Sequence, residues 1–303
     1  MTAIGHNQRQ YAYSEIFDSI QGEGHYTGRP TAWLRFFLCN LQCNGFGQDD
    51  PTDPDSYELP YKDFEGMEKI KVMTDLPVWE KGCDSSYSWS RKFKHLQHKE
   101  TAEEIGDRIR AEFTNEHNDG KWLERHMCFT GGEPLMKHAQ QCSMDVMKYW
   151  IEERDFPRYV TYETNGTQVL RDDFKEFWME YRDVWGGELF FSCSPKLWNV
   201  AGEKTKRAIR PEVVAEYCQI ITPGKGQLKF VVNGTPACWE ELDETIEKFR
   251  YYGVDWPIWI MPVGATVEGQ KLVDGDVAAE AFKRGYNVSA RVHTYLWGNL
   301  IGV

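Results

Sequence analysis

Two cysteines in a C-x3-C pair, Cys39 and Cys43, stand at the end of an apolar run, and a third arrives much later in Gly82-Cys83-Asp84-Ser85. Three thiolates can hold an iron–sulfur cluster and leave one iron without a protein ligand, because such clusters are ordinarily ligated by four cysteine sulfurs. An open coordination position is a place where a small molecule can bind and react. The same residues could instead be buried thiols, since free cysteine behaves as a small hydrophobe, or ligands of a structural zinc. Zinc calls for a fourth Cys or His at recognisable spacing, and none follows Cys83 in that way. A lone C-x3-C pair is a modest signal, so spacing alone leaves cluster, structural cysteine and zinc open. The other cysteines, Cys128, Cys142, Cys193, Cys218 and Cys238, lie in strand or helix patterns and read as core.

Further polar residues need elements to carry them to the cysteines. Thr31 to Leu38 is a nearly continuous apolar run of strand length, as suits a parallel strand covered on both faces. Arg35 inside it is costly unless an anion faces it, whether a structural carboxylate or a ligand's. Tyr11 to Ser19 reads as a short extended segment leading into a turn at Gly22 and Gly24, where the lack of a Cβ permits close approach. Thr101 to Phe113 reads as a helix, with Thr101 and Glu104 in capping-box spacing. Beyond it, strand candidates His126–Thr130, Tyr159–Glu163, Leu189–Cys193, Gln227–Val232 and Ile258–Met261 alternate with helices. Two of those helices carry aromatic and apolar stripes that read as core: Phe174, Phe177, Trp178, Tyr181 and Trp185, then Trp239, Leu242, Ile246 and Phe249. About six such units predict an α/β fold whose parallel sheet curls into a partial barrel. Ligands of such sheets bind at the carboxyl ends of the strands. There stand Cys39 and Cys43, Thr130-Gly131-Gly132-Glu133-Pro134, Glu163-Thr164-Asn165-Gly166, Ser194-Pro195-Lys196 and Pro262-Val263-Gly264. Singly each is an ordinary loop. Together they describe a lined pocket, in which Gly131 and Gly132 expose backbone to an amino-acid-like ligand and Glu133 offsets an ammonium. Glu163, Asn165 and Ser194 suit a ribose or carboxylate, or brace their own loops.

The chain has 303 residues and a formal net charge of -12, which argues against coating nucleic acid or an anionic membrane and favours a small-molecule substrate. No apolar run is long enough to cross a bilayer, and Met1 to Gln10 lacks a secretory pattern, so a cytoplasmic protein with reduced thiols is expected. Residues 44 to 82 break the alternation with an acidic, proline-interrupted stretch and scattered aromatics. Loops this long are often lids, partner surfaces or disordered.

In order along the chain, Ser19-Ile20-Gln21-Gly22-Glu23-Gly24, Gly28-Arg29-Pro30, the strand with Arg35, Cys39-Asn40-Leu41-Gln42-Cys43, Cys83-Asp84-Ser85, Thr130-Gly131-Gly132-Glu133-Pro134, Glu163-Thr164-Asn165-Gly166-Thr167, Ser194-Pro195-Lys196, Gln227–Val232 and the tail around His293 resemble the 7-carboxy-7-deazaguanine synthases. That is a radical S-adenosylmethionine family of the queuosine pathway, and the likeness spans nearly the whole chain. It departs in the cysteine motif. The family has C-x3-C-x2-C, whereas Phe46 stands three residues after Cys43, so 44–82 reads as an insertion within the motif of a single domain, 1–303.

The resemblance implies a partial (β/α)6 barrel of the radical S-adenosylmethionine type and a 4Fe-4S cluster on Cys39, Cys43 and Cys83. It implies S-adenosylmethionine at Gly132, Glu133, Glu163, Asn165, Ser194, Pro195 and Lys196, and magnesium at Ser85, where the family has Thr. The pterin 6-carboxy-5,6,7,8-tetrahydropterin would meet Ile20, Gln21, Gly22, Arg35, Thr130, His293 and Val303. The implied activity is a carbon–nitrogen lyase reaction: a 5'-deoxyadenosyl radical removes hydrogen, the ring contracts, and ammonia leaves to give 7-carboxy-7-deazaguanine. No protein residue carries the radical. A homodimer and an electron donor such as flavodoxin are implied too. Ser85 could be only a turn residue, and Trp297-Gly298-Asn299 a packed strand end. A glycyl-radical activase that docks its partner on the insertion, or a non-catalytic binding module, remains open.

Overall fold

The computed structural model describes residues 9–271 and 273–302. A nine-stranded sheet in the order β3-β1-β2-β4-β5-β6-β7-β8-β9 runs through it. The strands are β1 (Gln10–Ile20), β2 (Pro30–Phe36), β3 (His98–Thr101), β4 (His126–Gly131), β5 (Tyr159–Thr164), β6 (Glu188–Cys193), β7 (Gly226–Val232), β8 (Ile258–Pro262) and β9 (Asn287–Val288). From β2 to β9 every pairing is parallel, while β1 runs antiparallel to both β2 and β3. Thus β2, β4, β5, β6, β7 and β8, each followed by helix, form the expected α/β partial barrel, and the sheet is not closed. The segment Tyr11 to Ser19 is not a short lead-in but part of an eleven-residue strand whose register sets Glu15 opposite Arg35.

The alternation was legible because the central strands are covered on both faces and therefore almost wholly apolar. Helices Ala102–Phe113, Lys137–Glu152, Asp172–Asp183, Pro211–Ile220 and Pro236–Tyr251 turn apolar stripes onto one continuous core. The capping box at Thr101 and Glu104 is formed in both directions. Phe174, Trp178 and Tyr181 are buried, as are Trp239, Leu242, Ile246 and Phe249, whereas Trp185 is 44% exposed beyond the end of its helix. Cys128, Cys142, Cys193 and Cys238 are core residues, and Cys218 packs against that core. Among the described residues no helix is long and apolar enough to cross a membrane.

Curvature is visible in what the β1–β2 hairpin touches. Gly24 N donates to Ser289 Oγ (2.8 Å), His25 N to Gln227 Oε1 (2.9 Å), and Gly22 O accepts from Val292 N (2.9 Å). A hairpin rooted near one edge of the sheet thus meets β7 and the residues beyond β9 at the other. The positive φ of Gly24 and the tight contact of Gly22 with the His293 ring explain both glycines: a Cβ at Gly24 would strike the Gln227 side chain.

Residues 44–82 are built, not shapeless. They hold short helical turns at Pro54–Ser56, Pro60–Asp63, Met67–Lys69 and Met73–Asp75. Tyr61, Met73, Leu76 and Trp79 join Tyr87, Phe93 and Leu96 in a second apolar cluster, against which Ile301 packs. Trp297 closes a short helix, Val292–Trp297, not a strand end, and is 40% exposed.

Candidate active site

The cysteine corner forms where β2 ends. Leu38 (φ 89°) and Cys43 (φ 52°) adopt left-handed backbone that bends the loop back on itself. Leu41 and Cys43 are buried with Ala201 and Ala208, and Cys39, Phe46 and Cys83 pack against them, so the three cysteines share one small cluster. Cys83 comes to the same corner because segment 44–82 departs and returns at one place: Gly82 N donates to Phe46 O (2.7 Å) and Leu38 N to Ser88 O (2.8 Å). Burial pushes Cys39 up to about 12, Cys83 up to about 11, and Cys43 well above its ordinary value. Several groups oppose burial. Lys196 pulls all three down, Leu41 N donates to Cys39 Sγ (3.4 Å), and the Trp89 indole N–H lies beside Cys83 without another partner. Among the described residues no three His, Cys, Asp or Glu side chains surround a single-ion site.

The floor comes from the loops after β4 and β5. Gly131 and Gly132 lie so close to the end of β2 that a Cβ on either would strike the backbone of Phe36 or Leu38. Gly132 N donates to Phe36 O (3.2 Å) and Glu133 N to Leu38 O (2.8 Å), tying this floor to the cysteine loop. Glu133 is fully buried and accepts from Thr164 Oγ1 (2.6 Å), Asn165 N (2.8 Å) and Leu135 N (3.0 Å). Burial pushes its carboxyl up to about 7 against those donors. Asn165 bonds Asn40 (3.0 Å), which bonds Thr167 (2.9 Å). Glu163 accepts from Gln21 Nε2 (3.2 Å) and Thr130 Oγ1 (3.3 Å), and Lys196 donates to Ser194 Oγ (2.9 Å) with its ammonium over the Phe46 ring.

The opposite wall is a chain of charges. Arg35 donates to Glu15 Oε2 (2.6 Å) and lies 3.5 Å from Ser85 Oγ, so a structural carboxylate meets part of its demand. Glu23 of the hairpin pairs with Lys229 of β7 and with Arg291 (3.2 Å), and Arg291 pairs in turn with Asp84 (3.0 Å) beside Cys83. Burial raises Glu23, yet Lys229, Arg291 and His293 outweigh it and hold it well below the usual carboxylate range. Burial presses His293 down to about 4.

One cavity gathers nearly all the residues singled out from sequence. Cys39, Cys43, Cys83, Ser85, Ile20, Gln21, Gly22, Arg35, Thr130, Gly132, Glu163, Asn165, Ser194, Lys196 and His293 line it. Glu133 and Pro195 are not in that lining; Glu133 sits behind it, bracing the β5 loop. Val303 lies outside the described residues. Glu23, Asp84, Lys229 and Arg291 also line the cavity, as do Phe17 and Trp33, stacked at 5.5 Å. Glu15, behind Arg35, was foreshadowed only by the demand of a buried arginine for an acid. Nothing in local sequence marked Arg291.

No family model matches the chain. Among curated proteins it is 24% identical over 302 residues to the 7-carboxy-7-deazaguanine synthase of Halobacterium salinarum, covering 94% of this chain and 90% of that one. It is 23% identical over 180 residues to the Buchnera aphidicola protein of that name, covering 53% of this chain and 57% of the relative. The Thermoplasma acidophilum protein of that name is 28% identical over 159 residues, with 52% and 48% covered. The chain thus spans about half the length of the last two relatives and nearly all of the first. Among solved structures, QueE from Escherichia coli aligns over 94% of this chain and 95% of its own, with a TM-score of 0.49 and 19% identity. The resemblance read from the motifs is borne out by the curated relatives.

Proposed function

We propose that this chain is a radical S-adenosylmethionine lyase that converts 6-carboxy-5,6,7,8-tetrahydropterin to 7-carboxy-7-deazaguanine with loss of ammonia; the name 7-carboxy-7-deazaguanine synthase carried by its curated relatives supports the product, and the resemblance of its motifs supplies the substrate and the radical chemistry. The observation that carries the proposal is the gathering of Cys39, Cys43 and Cys83 in one cluster at the corner of a single cavity in spite of the intervening insertion. The donor set fits a 4Fe-4S cluster. Three sulfurs leave an iron open, and the N–H groups of Leu41 and Trp89 are placed to favour thiolate at Cys39 and Cys83. When bound, the cluster and S-adenosylmethionine supply the 5'-deoxyadenosyl radical, while the protein supplies position and electrostatics.

Gly132, Asn165, Ser194 and Lys196 offer backbone, amide, hydroxyl and ammonium groups to S-adenosylmethionine beside the cysteines. Glu163, oriented by the hydrogen bonds it accepts from Gln21 and Thr130, offers its carboxylate to hydroxyl groups of S-adenosylmethionine. Arg35 keeps guanidinium N–H groups for the substrate carboxylate, its Nε being occupied by Glu15. Ser85, between Arg35 and Asp84, would offer a hydroxyl oxygen to magnesium, an ion that takes few protein ligands and would supply positive charge to the substrate carboxylate. His293 and Gly22 close the hairpin side, where a neutral imidazole can exchange hydrogen bonds without adding charge. A homodimeric enzyme, one domain with 44–82 inserted and a flavodoxin-like electron donor, is part of the same proposal.

Anaerobic reconstitution of the wild type and of Cys83→Ala with iron and sulfide tests it. The wild type is expected to bind about four irons per chain and, with reductant, magnesium and S-adenosylmethionine, to release 7-carboxy-7-deazaguanine; Cys83→Ala should do neither. A variant that keeps its cluster and turns over normally would remove Cys83 from the site. A wild type that stays colourless would leave a binding module, and one that loads its cluster but ignores the pterin would point to another radical enzyme.

A further inference from the structure

The cysteine loop is gripped from one side by a single stretch of chain that no motif marks. After β6 and Ser194-Pro195-Lys196 come two short helices, Trp198–Ala201 and Thr205–Ala208, separated by Gly202, Glu203 and Lys204. Ala201 O accepts from Gly45 N (3.0 Å), and Arg207 donates to Asn40 O. Between them Glu203 Oε1 accepts from both Gln42 N (2.7 Å) and Cys43 N (2.9 Å). Ala201 and Ala208 pack on Leu41 and Cys43. The grip covers every turn of the loop from Asn40 to Gly45.

Two independent features make Glu203 the centre of that grip. Its side chain is only 6% exposed, and a buried carboxylate is expensive unless its partners are worth the desolvation; here the partners are backbone N–H groups of the cysteine loop itself. Cys43, moreover, is held at φ 52°, a left-handed conformation that is unfavourable for a residue with a Cβ and persists only when its surroundings impose it. The Glu203 hydrogen bond ends on the N–H of that residue.

We propose that Glu203 is a positioning residue for the cluster ligand Cys43: it fixes the left-handed turn that brings the thiol to Cys39 and Cys83, and its negative charge keeps the potential of the bound cluster low. The proposal rests on the cluster reading of the three cysteines. Backbone N–H groups near cluster sulfurs ordinarily raise the potential by donating to them. Those of Gln42 and Cys43 are instead committed to a carboxylate, and a negative charge in a poorly screened site opposes the arrival of an electron.

Both bonds end on one oxygen, so Glu203→Gln can keep them while removing the charge, and Glu203→Ala removes both. The experiment is anaerobic reconstitution of wild type, Glu203→Gln and Glu203→Ala, with iron content after desalting, a redox titration followed by electron paramagnetic resonance, and circular dichroism as the folding control. Glu203→Gln is expected to retain iron like the wild type but titrate at a more positive potential. Glu203→Ala should hold iron about tenfold more weakly, within the range seen when outer partners of metal ligands are lost. If Glu203→Gln loads and titrates like the wild type, the electrostatic part of the proposal is wrong; if Glu203→Ala also retains full iron, the positioning part is wrong as well. Should Glu203→Ala fail to fold, the glutamine variant still decides the charge, and loss of its iron would overturn the sufficiency of the two hydrogen bonds. A wild type that takes up no iron would bring down the cluster reading and this proposal together, an outcome distinct from a loaded wild type with indifferent variants.

Discussion

Arg291 faces two carboxylates at once, Glu23 and Asp84, and its Nη1 also donates to the carbonyls of Gly264 (3.3 Å) and Ala265 (3.1 Å). With its side chain only 14% exposed, Arg291→Ala would leave Glu23 and Asp84 as like charges on the cavity wall. Breaking a buried pair by removing one partner typically costs about 3–5 kcal/mol, and exposure at Asp84 puts the expected loss at the low end. Denaturant unfolding measures it, and Asp84→Asn introduced with Arg291→Ala should recover part of the loss, since coupled residues are non-additive. Strict additivity of the two variants would show that the pair is not coupled. His293 yields a pH prediction. Burial takes it from 6.5 down to about 4, with Glu23 and Asp84 raising it and Arg291 and Lys229 lowering it. The folded protein therefore binds fewer protons than the unfolded chain between those values. Its contribution is complete above pH 6.5 and is lost as pH falls through about 4. The unfolding free energy of His293→Asn should fall by about 1–3 kcal/mol less over that interval than that of the wild type; parallel pH profiles would place His293 in water.

At the scale of elements, residues 44–82 and the helix beyond them show what local pattern encodes and what it does not. The capping box of Ala102–Phe113 and the apolar strands were legible because their signals are local: a hydroxyl and a carboxylate three residues apart, or a run of residues suited to burial on both faces. Residues 44–82 gave no such signal, since turns of three or four residues have no periodicity to detect. Their order comes from long-range packing of Tyr61, Met73, Leu76 and Trp79 onto Tyr87, Phe93 and Leu96, partners that lie beyond the third cysteine. The pairing of Glu15 with Arg35 was equally hidden, because antiparallel register is set by the hairpin as a whole. Phe93, with no exposed surface, is the test residue for this second cluster. Phe93→Ala is expected to cost about 3–5 kcal/mol of local stability, read as faster hydrogen exchange of amides in 59–96 while β4, β5 and β6 keep theirs. Equal loss across the sheet would mean that the insertion and the barrel unfold as one unit.

For the whole molecule, the succession of strands was readable and the curvature was not. Strand-end motifs announced a common pocket because parallel β/α order puts every such loop on one side, but the closing of the β1–β2 hairpin onto β7 and Ser289 depends on twist accumulated over the entire sheet. That closure brings together Glu23, Lys229, Arg291 and Asp84 from four separate parts of the chain. It also leaves Cys43 buried and Cys39 and Cys83 half-buried beside it, all three thiol pKa values raised by desolvation. A group that binds the folded state alone stabilises by mass action, about 4 kcal/mol at a thousandfold excess over its dissociation constant. For a chain of this size that is a rise in melting temperature of about 5–10 °C. Anaerobic melting of the wild type before and after reconstitution with iron and sulfide should show it, and Cys83→Ala should show none. An equal rise in both would mean that iron binds elsewhere, because the folded corner is complete only when Cys83, delivered by the far end of segment 44–82, joins Cys39 and Cys43.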